Sequence, residues 1–137
     1  MTEANEQLVA EVTIGRWQEM VEVKLNNEST KGYFWGEAYL DTQGRKASDP
    51  RTAQISLLVM YFPREARIMV KLFHTPQSID ICHGSREMVD LEAGNQIELE
   101  LWFTNWFQQF TFEEKEFRQP VPIKMIIRRE SVVLASA

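Results

Sequence analysis

Cysteine is almost missing from this chain, with Cys82 the only one in 137 residues. An intrachain disulfide and a cysteine-rich zinc site within one chain are thereby excluded. No run approaches the roughly 18 uninterrupted apolar residues of a membrane-spanning helix, so membrane insertion is not expected. The first residues, MTEANEQLVAEV, are acidic and polar where a secretory signal has a basic start and an apolar centre. Together with the lone cysteine, this predicts a cytoplasmic location. Basic charge is also in deficit: 15 Lys and Arg stand against 20 Asp and Glu, for a formal charge of −5. That balance disfavours attraction to a phosphate backbone or an anionic bilayer, and nucleic acid is not an expected partner. The basic groups Lys124, Arg128, Arg129 and Arg45, Lys46, Arg51 are short and read first as solvated surface. The glycine-rich dinucleotide and phosphate-loop signatures, the nucleophile elbow and the HExxH zinc motif are all lacking, so no cofactor is expected.

The chain does hold the material of a folded globular protein, with 44% hydrophobic and 26% charged residues. Its length suits one domain spanning 1–137. Period-2 alternation dominates wherever a period is legible, and β-branched or aromatic residues fill the alternating positions. Val21, Val23 and Leu25 alternate with Glu22 and Lys24. A polar turn leads to a strand over Gly32–Leu40, whose glycines suggest a bulge or a close approach of backbones. Residues 41–52, DTQGRKASDPRT, form an expected exposed loop. ISLLVMYF at 55–62 is apolar on both parities, the pattern of a strand covered on two sides, and Pro63 then opens a type I turn into ARIMVKLF. SIDIC at 78–82 is a short alternating piece broken at His83-Gly84-Ser85, and Arg86–Leu91 is either a strand or one helical turn. Ile97, Leu99, Leu101 and Phe103 alternate with Glu98 and Glu100, and Ile123, Met125 and Ile127 with Lys124 and Arg128. About eight or nine strands at this spacing, with little or no helix, predict an all-β antiparallel sandwich or barrel. The first ten residues are expected to fray or form a single helical turn.

The densest feature is LWFTNWFQQFTF at 101–112, with six aromatic rings in twelve positions. If the strand begun at Gln96 continues through Phe107, odd positions face the core and even positions carry Glu98, Glu100, Trp102 and Trp106 outward. Phe110 and Phe112 keep the same parity in the absence of a bulge. Each such ring presents on the order of 150–250 Å² of apolar area, so several left in water would cost several kcal/mol. Either another part of the chain covers them, or a bulge near Thr104-Asn105 turns some inward, or another molecule docks there.

Catalytic chemistry finds little support. The histidines are His74 and His83 alone. On a strand Asp80 and Cys82 share a face while His83 points away, so no local Cys–His pair forms. Glu98 and Glu100 lie about 7 Å apart, a separation suited to a carboxylate pair, but any half-exposed strand supplies such neighbours. The expected function is therefore a non-enzymatic binding or assembly module that acts through protein–protein contacts, as a homo-oligomer or a subunit of a larger assembly. Its expected contact residues are Trp102, Trp106, Phe110 and Phe112, with Arg45, Lys46 and Arg51 as a second candidate surface. The runner-up is a barrel carrying an apolar or sugar-like small ligand, with Trp17, Tyr33, Trp35 and Trp102 at its mouth. An enzyme using His83 and a carboxylate comes third.

Overall fold

The computed structural model describes residues 4–15, 19–28, 32–41, 45–47, 49, 51, 53–75, 79–89, 91, 96–103, 105–106 and 121–133. They form strands β1 (Ala4–Ile14), β2 (Val21–Glu28), β3 (Tyr33–Leu40), β4 (Ile55–Phe62), β5 (Arg67–His74), β6 (Ile79–Arg86), β7 (Gln96–Phe103), β8 (Asn105–Trp106) and β9 (Val121–Val133). The order across the sheet is β7-β9-β1-β2-β3-β4-β5-β6-β8, antiparallel at every described ladder. With β8 taken as the continuation of β7, eight strands make a nearly closed barrel-like sheet, and no helix occurs among the described residues. Closure runs through that continuation, since β7 is bonded to β9 while Trp106 and Asn105 pair with Cys82 and His83 of β6.

Two glycines allow the sheet to turn its corners. β2 pairs with β1 through Val21–Leu25 and with β3 through Asn26–Glu28, so the strand passes from one half of the sheet to the other. Opposite this crossing, a Cβ on Gly36 would collide with the Lys24 carbonyl oxygen. At the second corner, a Cβ on Gly84 would collide with the carbonyl oxygen of Trp102. There β6 and β7 meet closely without a ladder of their own, and Arg86 Nη1 donates to Glu100 O at 2.7 Å. Glycine within a strand commonly marks such a bend, where another backbone approaches. The close approach expected near Gly36 is found. His83-Gly84-Ser85, expected to end a strand, instead lies inside β6.

Three other expectations are corrected. The first ten residues do not fray or coil from Ala4 onward, because β1 pairs with β9 over eleven positions from Ala4↔Val133 to Ile14↔Ile123. The single ladder considered for Gln96–Phe107 does not hold, since Gln96–Phe103 pairs with β9 while Asn105 and Trp106 pair with β6, and Phe107 lies outside the described residues. Arg86 ends β6, and the left-handed Met88 that follows (φ 61°) belongs to neither a strand nor a helical turn.

Alternation places one side of β1 to β7 and of β9 inside. Leu8, Ala10, Val12, Val23, Leu25, Phe34, Leu40, Leu57, Val59, Tyr61, Ile68, Val70, Leu72, Leu101, Phe103, Ile123, Met125 and Ile127 form one core cluster. β4 and β5 make the expected hairpin in full register from Ile55↔His74 to Phe62↔Arg67. Its turn closes with Ala66 N donating to Pro63 O at 3.2 Å, and Ala66 takes a left-handed φ of 50°, which is a usual way to end a type I turn in a hairpin. Val89 and Leu91 close that end of the barrel. The Tyr61 hydroxyl donates to Val89 O and accepts from Leu91 N, both at 3.2 Å. Val89 N reaches Ala66 O at 2.7 Å and Arg129 Nη2 reaches Leu91 O at 3.0 Å.

Candidate functional site: the outer face of the central strands

Because the inward positions are filled by aliphatic and aromatic side chains, contact chemistry has to be sought outside. On β3 the outward positions are Tyr33, Trp35, Glu37 and Tyr39, and on β4 Ser56, Leu58, Met60 and Phe62. On β5 they are Arg67, Met69, Lys71 and Phe73. Register assembles them into rows across the sheet, in which side chains directly opposite touch. One row is Trp35, Met60, Met69; the next is Glu37, Leu58, Lys71; the next is Tyr39, Ser56, Phe73. At the hairpin end Tyr33 and Phe62 rings lie 5.4 Å apart, with the Arg67 guanidinium 5.2 Å from the Phe62 centroid.

Most of these side chains are half-buried, and none of the described strands lies across them. Among the described residues, the cover expected on both sides of β4 is found on one side only. Polar contacts within the face are local. The Tyr39 hydroxyl donates to Glu37 Oε2 at 3.1 Å, and the adjacent carboxylate raises the phenol pKa above its ordinary value. Ser56 Oγ and Thr75 Oγ1 are 2.8 Å apart.

Trp102 lies on the outside, as the alternation of Gln96–Phe103 predicts, and is 45% exposed. It borders a cleft at the β6/β7 corner together with His83, Gly84, Ser85, Arg86 and Glu100. Trp106 pairs with Cys82 through its backbone, so no continuous ladder links it to Trp102. The Trp106 side chain, and Trp17, Phe107, Phe110 and Phe112 entirely, lie outside the described residues. Of the residues expected at a barrel mouth, Tyr33, Trp35 and Trp102 occupy outward positions on their strands, not a lining of the interior.

The loop after β3 folds back on that strand. Ala47 N donates to Tyr39 O at 2.8 Å, Asp41 N to Arg45 O at 2.8 Å, and Lys46 forms an isolated bridge with Leu40. Arg45 pairs with Asp41 at 3.0 Å and Arg51 with Asp49 at 3.1 Å, each within the loop. Lys46 stands exposed beside Glu22, Lys24 and Glu37. The other basic group is also engaged, since Arg128 pairs with Glu11 at 2.9 Å.

Cys82 is fully buried, and desolvation pushes its thiol far above the ordinary range, which suppresses the nucleophilic thiolate. Its neighbour His83 lies opposite Lys71, on an outward position. No group of three or more metal-binding side chains occurs among the described residues. No described helix is long and apolar enough to cross a membrane. Comparison with protein-family models, curated proteins and solved structures yields no match.

Proposed function

We propose that the protein is a non-enzymatic binding and assembly module that self-associates through the outer face of β3, β4 and β5. The observation that carries this reading is the Trp35, Met60, Met69 row with Leu58 and Phe73 beside it, on a face that no described strand crosses. Tryptophan, tyrosine, phenylalanine and methionine are the side chains enriched at interface cores, and a contiguous apolar patch on a folded surface marks a contact site. Trp102 supplies an exposed ring at the β6/β7 corner, beside this half-buried face.

Sedimentation velocity over a hundredfold concentration range tests the proposal. The wild type should show a concentration-dependent mass above that of one 16.0 kDa chain. Met60→Lys, placed in the middle of the patch, should return it to the single-chain mass with an unchanged far-UV spectrum. A wild type that stays at the single-chain mass throughout would end the self-association reading.

A further inference from the structure

We infer that the partner on this face is a second copy of the chain, docked about a two-fold axis that lies in the interface plane and runs parallel to β4, so that Glu37 of one copy meets Lys71 of the partner subunit. The inference rests on the self-association reading above and adds its orientation.

The rows are arranged symmetrically about β4. Glu37 sits one strand to one side of Leu58, and Lys71 one strand to the other, both in register with it. Neighbouring strands are about 4.8 Å apart, so the opposite charges are nearly equidistant from the central leucine. A two-fold axis along β4 exchanges the two sides of each row when one copy is turned face-down on the other. Glu37 then lies over Lys71 of the partner subunit, and the same pair recurs on the opposite flank. Leu58 and Met60 meet their own copies on the axis. Trp35 faces Met69 of the partner subunit, a thioether-to-indole contact, and the Tyr33 flank faces Arg67 of the partner subunit, a cation over a ring. The other in-plane two-fold through this row, running across the strands, would set Glu37 against Glu37 and Lys71 against Lys71. Like charges opposed in an interface are repulsive, so that arrangement is disfavoured.

Local contacts prepare the pairing. The Glu37 carboxylate is held by the Tyr39 hydroxyl through Oε2, which fixes its place on the face. Aligned sheets pack at about −30°, which tilts the axis by about 15° from β4, and the long Glu and Lys side chains can span that offset. With eight residues in each of β3, β4 and β5, the three strands project roughly 400 Å². Counted over both copies, about 800 Å² lies below the size of a standard stable interface, so a weak, reversible dimer is expected.

A charge-exchange set measured by sedimentation at low salt tests the orientation. Glu37→Lys and Lys71→Glu should each weaken the dimer by about tenfold or more. The double variant should recover most of the wild-type affinity, since both ionic contacts return with their signs exchanged, and an equimolar mixture of the two single variants should form a mixed dimer, in which one flank keeps the native pair and the other carries it reversed. A wild-type dimer whose affinity ignores the single changes, or whose double variant and mixture show no recovery, overturns the orientation while leaving self-association standing. A wild type that is a single chain at every concentration removes both.

Discussion

Tyr61→Phe removes one oxygen atom from the interior and leaves the ring in place. Tyr61 is 2% exposed, and its hydroxyl is both donor to Val89 O and acceptor from Leu91 N. Without it, two backbone groups at the closed end of the barrel lose a partner. A typical intramolecular hydrogen bond contributes about 0.5–1.5 kcal/mol net, while a buried donor or acceptor left unmatched costs about 1–3 kcal/mol. Two such groups, with some relaxation around Val89 and Leu91, give an expected loss of about 2–4 kcal/mol. For a domain of this size that is a fall in Tm of roughly 8–15 °C. Urea unfolding should show a lower midpoint with an unchanged slope, since the folded and unfolded surfaces stay nearly the same. Hydrogen exchange at the Leu91 amide should accelerate beyond the global change, because that N–H loses its acceptor. A stability loss below about 0.5 kcal/mol, with Leu91 still protected, would refute the account of how this end of the barrel is closed.

Gly84→Ala should lower stability by about 1–3 kcal/mol, since the added carbon meets the Trp102 carbonyl and one strand must shift; an unchanged urea midpoint would contradict the corner described for β6 and β7. Cys82 makes stability depend on pH in a definite direction. Its folded-state pKa is raised, so above roughly pH 8.5 the unfolded chain releases a proton that the folded chain keeps. The stabilisation is complete below that pH and declines above it, by about 1.4 kcal/mol per pH unit while the folded thiol remains protonated. Urea unfolding under reducing conditions at pH 7 and pH 9.5 should show this decline, and Cys82→Ala should remove that share of it; equal slopes in the two proteins would sink the assignment.

Much of the architecture was legible because a strand with one buried face writes its period into the chain. Gln96–Phe103 is the clearest instance, with Glu98, Glu100 and Trp102 outside and Leu99, Leu101 and Phe103 inside. The β4–β5 hairpin was equally readable from its two apolar runs around Pro63. The first strand was not. Ala4-Asn5-Glu6-Gln7 has poor strand propensity, and it is pairing with β9 across the whole length of β1 that overrides it, a long-range cause with no local signature. The change of partner after Phe103 leaves no local signature for a related reason. Parity extends a pattern along one ladder, and at Asn105 the ladder itself changes partner. The aromatic run at 101–112 is a denser local signal than the outer face of β3–β5. The signal of that face was present in ISLLVMYF, whose second apolar parity reflects a half-exposed patch where intramolecular cover was expected. Only register could show that Trp35, Met60 and Met69 form one row, because the three come from different strands.

The longest ladder in the molecule joins its first strand to its last, from Ala4↔Val133 to Ile14↔Ile123. During synthesis β1 therefore waits, one edge open, until more than a hundred further residues have emerged, and the β1–β2 ribbon must survive that interval as an incomplete sheet. Closing so wide a loop makes folding slow relative to a protein of local contacts, and an open edge meanwhile invites pairing with other chains. Glu11 on that waiting strand, and Glu22 and Lys24 on its neighbour, place charges along the exposed ribbon. They discourage intermolecular strand pairing until β9 arrives.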